Sequence, residues 1–129
     1  NKKIIVEVQT NVPSVVLPLN IRRLDHVFFN LFNNAADFMP DGGRIMVRFE
    51  QNSREIYAEV EDTGRGFKPG IVDKLFTPFF TDGKPTGTGL GLSICKNIVE
   101  DHGGRIWPKE VAGCGGIFCF TLPLKAAAA

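Results

Sequence analysis

The sequence predicts one domain of mixed α and β structure. Five runs alternate apolar and polar residues, as half-buried strands do, and two longer segments repeat their apolar residues at helical spacing. With 129 residues and 43% hydrophobic content, the chain is long enough to bury one core. We therefore expect a single α/β (α+β) domain at residues 1–125, followed by a short alanine tail at 126–129.

Four of the five predicted strands form two hairpins. In each hairpin a short polar or glycine-bearing segment separates two alternating runs, which is typical of antiparallel pairs. The remaining run opens the chain with almost no residues before it, so we expect a domain excised from a longer protein. In chain order, the runs are 2–9, 44–49, 55–61, 105–111 and 116–124.

The first predicted helix carries a polar stripe beside its apolar face. Asn20 is a good N-cap residue, and a proline and two glycines end the helix after Met39. Asn30, Asn34 and Asp37 lie about one turn apart at the margin of the apolar arc. A buried amide is costly unless its hydrogen bonds are met, so either the fold or a ligand must satisfy Asn34. The apolar arc comprises Ile21, Leu24, Val27, Phe28, Leu31, Phe32 and Ala35.

A carboxylate and two glycines follow each other at the end of the third predicted strand. Asp62 precedes Thr63, and Gly64 and Gly66 flank Arg65. This order places an acceptor at the rim of the sheet, beside open backbone, where it could accept a hydrogen bond from an exocyclic amine. A plain Asp-x-Gly turn would carry the same residues, so both interpretations stay open.

A glycine-rich loop runs directly into the second predicted helix. Gly87, Gly89 and Gly91 alternate with larger residues, and apolar residues at helical spacing then continue as far as Val99, in a helix that ends at His102. Glycines let backbone N–H groups approach a ligand, and a helix N-terminus favours anions, so the junction suits a di- or triphosphate. The segment matches neither the P-loop nor the dinucleotide-binding fingerprint, and an ordinary turn before a helix is the alternative.

Three aromatic residues around a proline precede this loop. Phe76, Phe79 and Phe80 surround Pro78, directly before the polar, glycine-bearing segment 81–88. The pattern indicates a hydrophobic anchor for a flap, or a loop that aromatic residues pin to the core.

The composition argues against several classes of function. The net charge is +1 without a long basic run, so we expect neither nucleic acid nor an anionic membrane as a partner. No apolar run approaches the about 20 residues that cross a bilayer. Cys95, Cys114 and Cys119 are odd in number and have apolar neighbours, which indicates reduced core residues of a cytoplasmic protein. The neighbours of the two histidines show no Ser/His/Asp or Cys/His arrangement, so we do not expect the nucleophilic catalysis of a hydrolase.

The order of these features resembles the ATP-binding catalytic domain of sensor histidine kinases. The resemblance covers essentially the whole chain, and the stretch 77–81 is most similar to the nitrogen-regulation branch of these kinases. The matching segments are the N box with Asn30 and Asn34, the first glycine box at 62–66, the F box at 76–80 and the second glycine box at 87–92.

This resemblance implies the Bergerat ATP-binding fold. In that fold a mixed, mostly antiparallel sheet is covered on one face by helices, giving a two-layer sandwich with ATP between the helices and a flap. By position match, Asp62 would accept a hydrogen bond from the N6 amine of adenine. Gly64 and Gly66 would let the base approach, and Phe67 would line its pocket.

The resemblance also implies a phosphate and metal side of the site. Asn34 would coordinate Mg²⁺ through its side-chain oxygen, which suits a hard cation that keeps several waters. Asn30, the predicted catalytic residue, would lie near the phosphates. Asp37 and Lys84 complete the ATP-binding set, with Lys84 as a flap cation. The residues expected to cradle the phosphates are Gly87, Thr88, Gly89, Leu90, Gly91 and Leu92.

The implied reaction is transfer of the ATP γ-phosphoryl group to a histidine on a separate dimerisation domain, and then to a response regulator receiver domain in two-component signalling. Neither His26 nor His102 lies where an acceptor is expected, so the chain should supply ATP and not the phosphorylated residue. Its contribution would be mainly positioning and charge stabilisation. We expect a cytoplasmic monomer without direct membrane contact, although the parent protein could be membrane-anchored.

The chain departs from the family pattern at two positions. Gly116 stands where the wider superfamily often has a threonine that helps to bind adenine through water, so one base contact could be missing. Lys84 is displaced by about one residue from the position where related flaps usually carry their cation.

Other activities of the same fold remain open. ATPases of the gyrase, heat-shock chaperone and mismatch-repair group use a glutamate to activate water where this chain has Asn30. An amide cannot act as that base, so hydrolysis should be slow. A module that acts through protein contacts alone would lack Mg²⁺-dependent nucleotide binding. An anti-sigma-type serine kinase is a third alternative, which the aromatic box and the truncated start disfavour.

Overall fold

Five strands and two helices make up the described part of the chain. The computed structural model describes residues 3–8, 21–37, 39, 41–64, 66, 74–77, 91–109 and 115–123. Of the helices described, neither is long and apolar enough to span a membrane. The elements are β1 (Ile4–Val8), α1 (Ile21–Asp37), β2 (Gly43–Gln51), β3 (Glu55–Asp62), α2 (Gly91–Asp101), β4 (Ile106–Lys109) and β5 (Ile117–Pro123).

The strands form one mixed sheet in the order β1-β2-β3-β5-β4. β1 runs parallel to β2, and the other neighbouring pairs are antiparallel. The predicted mostly antiparallel sheet and both predicted hairpins are therefore confirmed. Because β5 lies between β3 and β4, its first residue pairs with the end of β3, where Ile117 is opposite Glu61.

Both helices pack on one face of this sheet, as predicted. The ring of Phe28 on α1 lies 6.5 Å from that of Phe49 on β2 and 5.4 Å from that of Phe120 on β5, measured between centroids. α2 packs against α1, β4 and β5. Alternation along the strands turns every second residue towards the helices, which places one core between the layers. That core includes Val27, Leu31, Ala35, Ile45, Val47, Ala58, Val60, Ile98, Val99, Phe118, Phe120 and Leu122.

α1 ends close to the position that the sequence predicts, at about Met39. The helix stops at Asp37, and the N–H of Met39 donates to the carbonyl oxygen of Ala36 at 3.0 Å. The N–H of Gly42 then donates to the carbonyl oxygen of Met39 at 2.9 Å. These three-residue bonds tighten the chain into a turn, close to the predicted helix end at about Met39. The predicted N-cap, Asn20, lies outside the described residues.

β1 is more exposed than a half-buried strand should be. Val6 and Val8 are 46% and 54% exposed, although their partners Ile45 and Val47 on β2 are buried. β1 is an edge strand of the sheet, whereas the described helices pack on β2, β3, β4 and β5, so Val6 and Val8 stay largely uncovered. The sequence pattern therefore predicts the strand correctly and its burial wrongly.

Cys95 helps to join the two helices. Its Sγ donates to the carbonyl oxygen of Val27 at 3.6 Å, from α2 to α1. Burial raises the pKa of Cys95 to about 12, so the side chain stays a neutral thiol at physiological pH. Cys95 and Cys119 are both free and buried, which confirms them as reduced core residues, whereas Cys114 lies outside the described residues.

Truncating the core face of α1 should destabilise the domain. Leu31 is fully buried, so Leu31→Ala is expected to lower the free energy of unfolding by about 2–5 kcal/mol, through lost burial and the remaining cavity. Phe29→Ala is the matched control, because Phe29 is 64% exposed on the same helix, and it should change this free energy by less than about 0.5 kcal/mol. Urea unfolding followed by circular dichroism measures both. Equal losses would contradict the orientation of α1.

Candidate functional site

The predicted site residues that the structure describes lie on three neighbouring elements. α1 packs against both β3 and α2. Its polar stripe contacts the start of α2 through Asn30 and Gly91, and Thr63, the residue after β3, contacts Met39 in the turn after α1. The predicted site residues are Asn30, Asn34 and Asp37 on α1, Asp62 at the end of β3 with Gly64 and Gly66 after it, and Gly91 and Leu92 at the start of α2.

Asp62 is held by backbone donors from two segments. It is only 2% exposed. Its Oδ1 accepts hydrogen bonds from the N–H groups of Gly64, at 2.8 Å, and Gly116, at 3.1 Å. The N–H of Asp62 in turn donates to the carbonyl oxygen of Gly116 at 2.9 Å. The carboxylate is therefore fixed through one oxygen, and within the described ranges no group donates to Oδ2.

The surroundings of Asp62 disfavour its charged form. Burial raises the pKa of Asp62 above its ordinary value, because a carboxylate removed from water is less stable when ionised. The N–H groups of Gly64 and Gly116 oppose this shift, and the charge of Glu61 adds to it. A ligand that donates a hydrogen bond to the ionised carboxylate would recover part of this lost free energy.

Thr63 fastens the chain after Asp62 to two other elements. Its N–H donates to the carbonyl oxygen of Arg44 at 3.1 Å, and its hydroxyl oxygen accepts from the Arg44 N–H at 3.0 Å. The same hydroxyl donates to the Sδ of Met39 at 3.5 Å. The segment that follows the carboxylate is thus tied to the start of β2 and to the turn after α1.

Gly66 adopts a backbone conformation that favours glycine. Its φ is +77°, in the left-handed region where a β-carbon is unfavourable, and the residue is buried. The conformation explains the need for glycine at position 66 without reference to a ligand, so close approach of a base at this point stays a prediction.

Asn30 connects α1 with the start of α2. Its Nδ2 donates to the carbonyl oxygen of Gly91 at 3.4 Å, and its side chain also forms a hydrogen bond with Cys95. The polar stripe and the end of the glycine-rich segment, which are far apart in sequence, therefore lie in contact. As a neutral amide, Asn30 offers this contact but no basic group.

Asn34 and Asp37 have different environments on α1. Asn34 is 5% exposed, in agreement with its predicted position at the margin of the core. Asp37, almost one turn later, is exposed. The structure therefore encloses the amide and leaves the carboxylate at the surface.

The aromatic and glycine-rich segments are described only in part. The ring of Phe76 meets that of Phe118 on β5 edge to face, with 5.9 Å between centroids, which agrees with the predicted anchoring to the core. Gly91 begins α2 and Leu92 packs against the core, as expected where a glycine-rich loop becomes a helix. The predicted site residues outside the described ranges are Phe67, Lys84, Gly87, Thr88, Gly89 and Leu90.

The role of the glycines directly before β5 does not follow from the sequence alone. The family resemblance indicates only that Gly116 lacks a threonine contact, whereas in the structure its N–H holds Asp62. The glycines at 113, 115 and 116 are a signal of close backbone approach. Their partner could not be identified from the sequence, because 54 residues separate Asp62 from Gly116.

The fold and these residues identify a known family. Residues 19–126 match the family described as histidine kinase-, DNA gyrase B- and HSP90-like ATPase. This match covers most of the chain, so the chain belongs to that family. It confirms the predicted membership, and the relatives below are sensor histidine kinases, although none of the comparisons confirms the nitrogen-regulation branch.

Curated relatives are much longer than this chain. The sensor protein KdpD of Clostridium acetobutylicum is 35% identical over 128 residues, which cover 95% of this chain and 14% of that protein. The sensor histidine kinase WalK of Bacillus subtilis is 36% identical over 129 residues, covering 93% of this chain and 21% of that protein. The chain thus spans a minor part of each relative.

Solved histidine kinase structures share the fold. The mycobacterial sensor histidine kinase MprB has a TM-score of 0.82 at 29% identity, covering 94% of this chain and 84% of that one. Full-length ShkA, in complex with AMPPNP, has a TM-score of 0.82 at 26% identity, covering 98% of this chain and 27% of that one. ThkA, in complex with the response regulator TrrA, has a TM-score of 0.77 at 30% identity, covering 94% of this chain and 34% of that one. These matches confirm the predicted Bergerat fold.

Neutralising Asp62 should stabilise the ligand-free domain. A raised folded pKa means that Asp62 contributes stability below its ordinary pKa of 3.8, and that this contribution is lost as pH rises through the folded pKa. Asp62→Asn keeps an oxygen for both backbone donors without the buried charge. We therefore expect a higher melting temperature than wild type at pH 7, and a difference that shrinks as the pH is lowered.

Differential scanning calorimetry over a pH series measures this effect. Asp41→Asn is the control, because Asp41 is exposed in the turn before β2, and it should leave the melting temperature nearly unchanged at every pH. An Asp62→Asn domain that melts below wild type at pH 7 would show that the ionised carboxylate stabilises the fold.

Proposed function

We propose that this domain binds ATP with Mg²⁺ and donates the γ-phosphoryl group to a histidine on a separate dimerisation domain. The observation that carries the proposal is the buried carboxylate of Asp62, fixed through Oδ1 and without a described donor on Oδ2. Membership of a family of histidine kinase-like ATPases supports it. The proposed site consists of Asn30, Asn34, Asp37, Asp62, Gly64, Gly66, Phe67, Lys84, Gly87, Thr88, Gly89, Leu90, Gly91 and Leu92.

Asp62 is proposed to recognise the adenine base. The N6 amine is a donor, and a hydrogen bond from it to an ionised, buried carboxylate is charge-assisted. Gly64 and Gly66 would leave room for the plane of the base, and Phe67 would add an apolar surface. Since the pKa of Asp62 is raised, nucleotide affinity should fall as the pH is lowered through that pKa and the acceptor becomes protonated.

The phosphates are proposed to bind at the start of α2. The first N–H groups of this 11-residue helix have no partners within it, and the helix dipole favours anions there. The segment 87–92 would bring backbone N–H groups close to the phosphates, and Lys84 would add a positive charge. Asn30 would hold this end of α2 against α1, because its amide already contacts Gly91.

Asn34 is proposed to hold Mg²⁺ beside the phosphates. A carboxamide oxygen is a hard neutral ligand, of the kind that Mg²⁺ accepts together with phosphate oxygens and waters. Asn34 fits this role because its nearly buried amide lies one helical turn from Asn30, on the helix that packs against α2. When bound, the ion would neutralise charge on the phosphates during transfer.

The residues of this chain would position ATP without acting as nucleophile or base. The acceptor imidazole nitrogen would form the bond to the γ-phosphorus while the bond from phosphorus to the bridging oxygen breaks and ADP leaves. Asn30 cannot deprotonate a water, so the competing hydrolysis should be slow. The domain would therefore keep ATP intact until a histidine is presented.

Complexes of two relatives support the proposed partners. ShkA binds AMPPNP, and ThkA forms a complex with a response regulator. We propose ATP, a histidine-bearing dimerisation domain of the parent protein and a response regulator receiver domain as partners of this chain. The catalytic domain would comprise residues 1–125, with 126–129 as a tail, on the cytoplasmic side of a parent of the nitrogen-regulation type. Alone it should be monomeric, which sedimentation would test.

Nucleotide binding should depend on Mg²⁺ through Asn34. Calorimetric titration with AMPPNP should show binding by the wild-type domain that strengthens when Mg²⁺ is added. Asn34→Ala should lose the Mg²⁺-dependent part, about tenfold or more in affinity, because it lacks the ligand oxygen. Asn33→Ala is the control, since Asn33 is the exposed neighbour on the same helix and should bind as wild type does. Absence of binding by the wild type under both conditions would refute the proposal.

Transfer to histidine should outpace hydrolysis. With γ-labelled ATP and the dimerisation domain of the parent protein, label should appear on that domain in an acid-labile, base-stable form, as expected for phosphohistidine. Free phosphate should accumulate more slowly, because Asn30 supplies no general base. Rapid phosphate release without protein labelling would instead indicate an ATPase.

A further inference from the structure

The two glycines that lead into β5 lie closely against Asp62. Gly116 exchanges two hydrogen bonds with this residue, since its N–H donates to Oδ1 at 3.1 Å and its carbonyl oxygen accepts from the Asp62 N–H at 2.9 Å. Gly115, directly before it, also lies against Asp62. Two consecutive glycines therefore bring the β5 backbone to the carboxylate.

Gly115 leaves no space for a side chain. A β-carbon at this position would overlap the carbonyl oxygen of Asp62, and it would lie 2.7 Å from Oδ1 and 2.9 Å from the carbonyl carbon. Backbone atoms cannot turn aside as the end of a flexible side chain can, so Asp62 or β5 would have to move. The φ of Gly115 is outside the left-handed region, unlike that of Gly66. Space rather than backbone conformation therefore requires glycine here.

We propose that Gly115 is a positioning residue that sets base selectivity, an inference that rests on the proposed ATP binding. By admitting the β5 backbone, Gly115 lets the Gly116 N–H occupy Oδ1 of Asp62. Oδ2, to which no described group donates, is then the oxygen presented to the base. The arrangement selects a purine that offers an exocyclic amine at this point over one that offers a carbonyl oxygen.

ATP and ITP differ in the group that this oxygen would meet. Adenine presents an amine donor at C6, whereas hypoxanthine presents a carbonyl oxygen, which cannot donate to a carboxylate. A site built to pair with a donor rejects an analogue without one, because its buried polar group is left unpaired. We therefore expect wild-type protein to bind the adenine nucleotide about tenfold or more tightly than the inosine nucleotide.

The test is calorimetric titration of the 129-residue chain with the Mg²⁺ complexes of AMPPNP and its inosine counterpart. Gly115→Ala should weaken AMPPNP binding about tenfold or more and change binding of the inosine analogue by less than about threefold, so that the preference disappears. Gly104→Ala is the matched control. Its β-carbon would overlap the carbonyl oxygen of Thr121, towards the other end of β5, so it should strain the fold and keep the wild-type preference.

The possible outcomes separate this inference from the proposed function. Failure of wild-type protein to bind either nucleotide would remove the proposed function. A wild-type preference that persists in folded Gly115→Ala, or a parallel loss of both affinities, would overturn the positioning role alone. If Gly104→Ala also lost the preference for the adenine nucleotide, the positioning role would again be overturned. Strain anywhere along β5 would then be enough to remove the preference.

A measurement on the wild type covers the case in which Gly115→Ala does not fold. Gly64 and Gly116 both donate to Oδ1 of Asp62, so their amide resonances should shift together when Asp62 is titrated. AMPPNP should leave both bonds in place, because the base would use Oδ2. A Gly116 amide that does not respond while that of Gly64 does would show that β5 does not hold the carboxylate.

Discussion

Asp62 and Gly116 are 54 residues apart in the chain, yet the hydrogen bonds between them fix the acceptor on which the proposed site depends. The contact exists because β5 inserts between β3 and β4, with its first residue opposite the residue before Asp62. Thr63 adds a second set of bonds to the start of β2. The carboxylate is therefore set by the completed sheet through Gly116 as well as by the local N–H of Gly64.

The burial that fixes the side chain of Asp62 also destabilises its ionised form. Burial raises the pKa of Asp62, so the ligand-free fold gives up stability to keep an ionised acceptor at neutral pH. Two backbone donors lower this cost, but both go to Oδ1, and within the described part of the chain no group donates to Oδ2. An amide at this position would keep an acceptor for both backbone donors without the buried charge, so the presence of a carboxylate supports the proposed binding role.

The sequence predicts what depends on local periodicity and fails where distant segments meet. Apolar spacing located both helices and both hairpins, and the stripe with Asn34 was placed correctly at the margin of the core. The exposure of Val6 and Val8 was missed, because it depends on which strands the helices cover. The hydrogen bond from the Gly116 N–H to Asp62 could not be predicted either, because it depends on β5 lying next to β3 in the sheet.

The two ends of the proposed site are built from different parts of the fold. The base end rests on β3 and β5, whose backbone fixes Asp62, whereas the phosphate end rests on α1 and α2, joined through Asn30 and Gly91. Helices packed through side chains shift more easily than strands joined by a backbone ladder. A nucleotide that spans both ends would tie the more adjustable helical layer to the fixed rim of the sheet. The base would then anchor the ligand, while the helices adjust the phosphates for transfer.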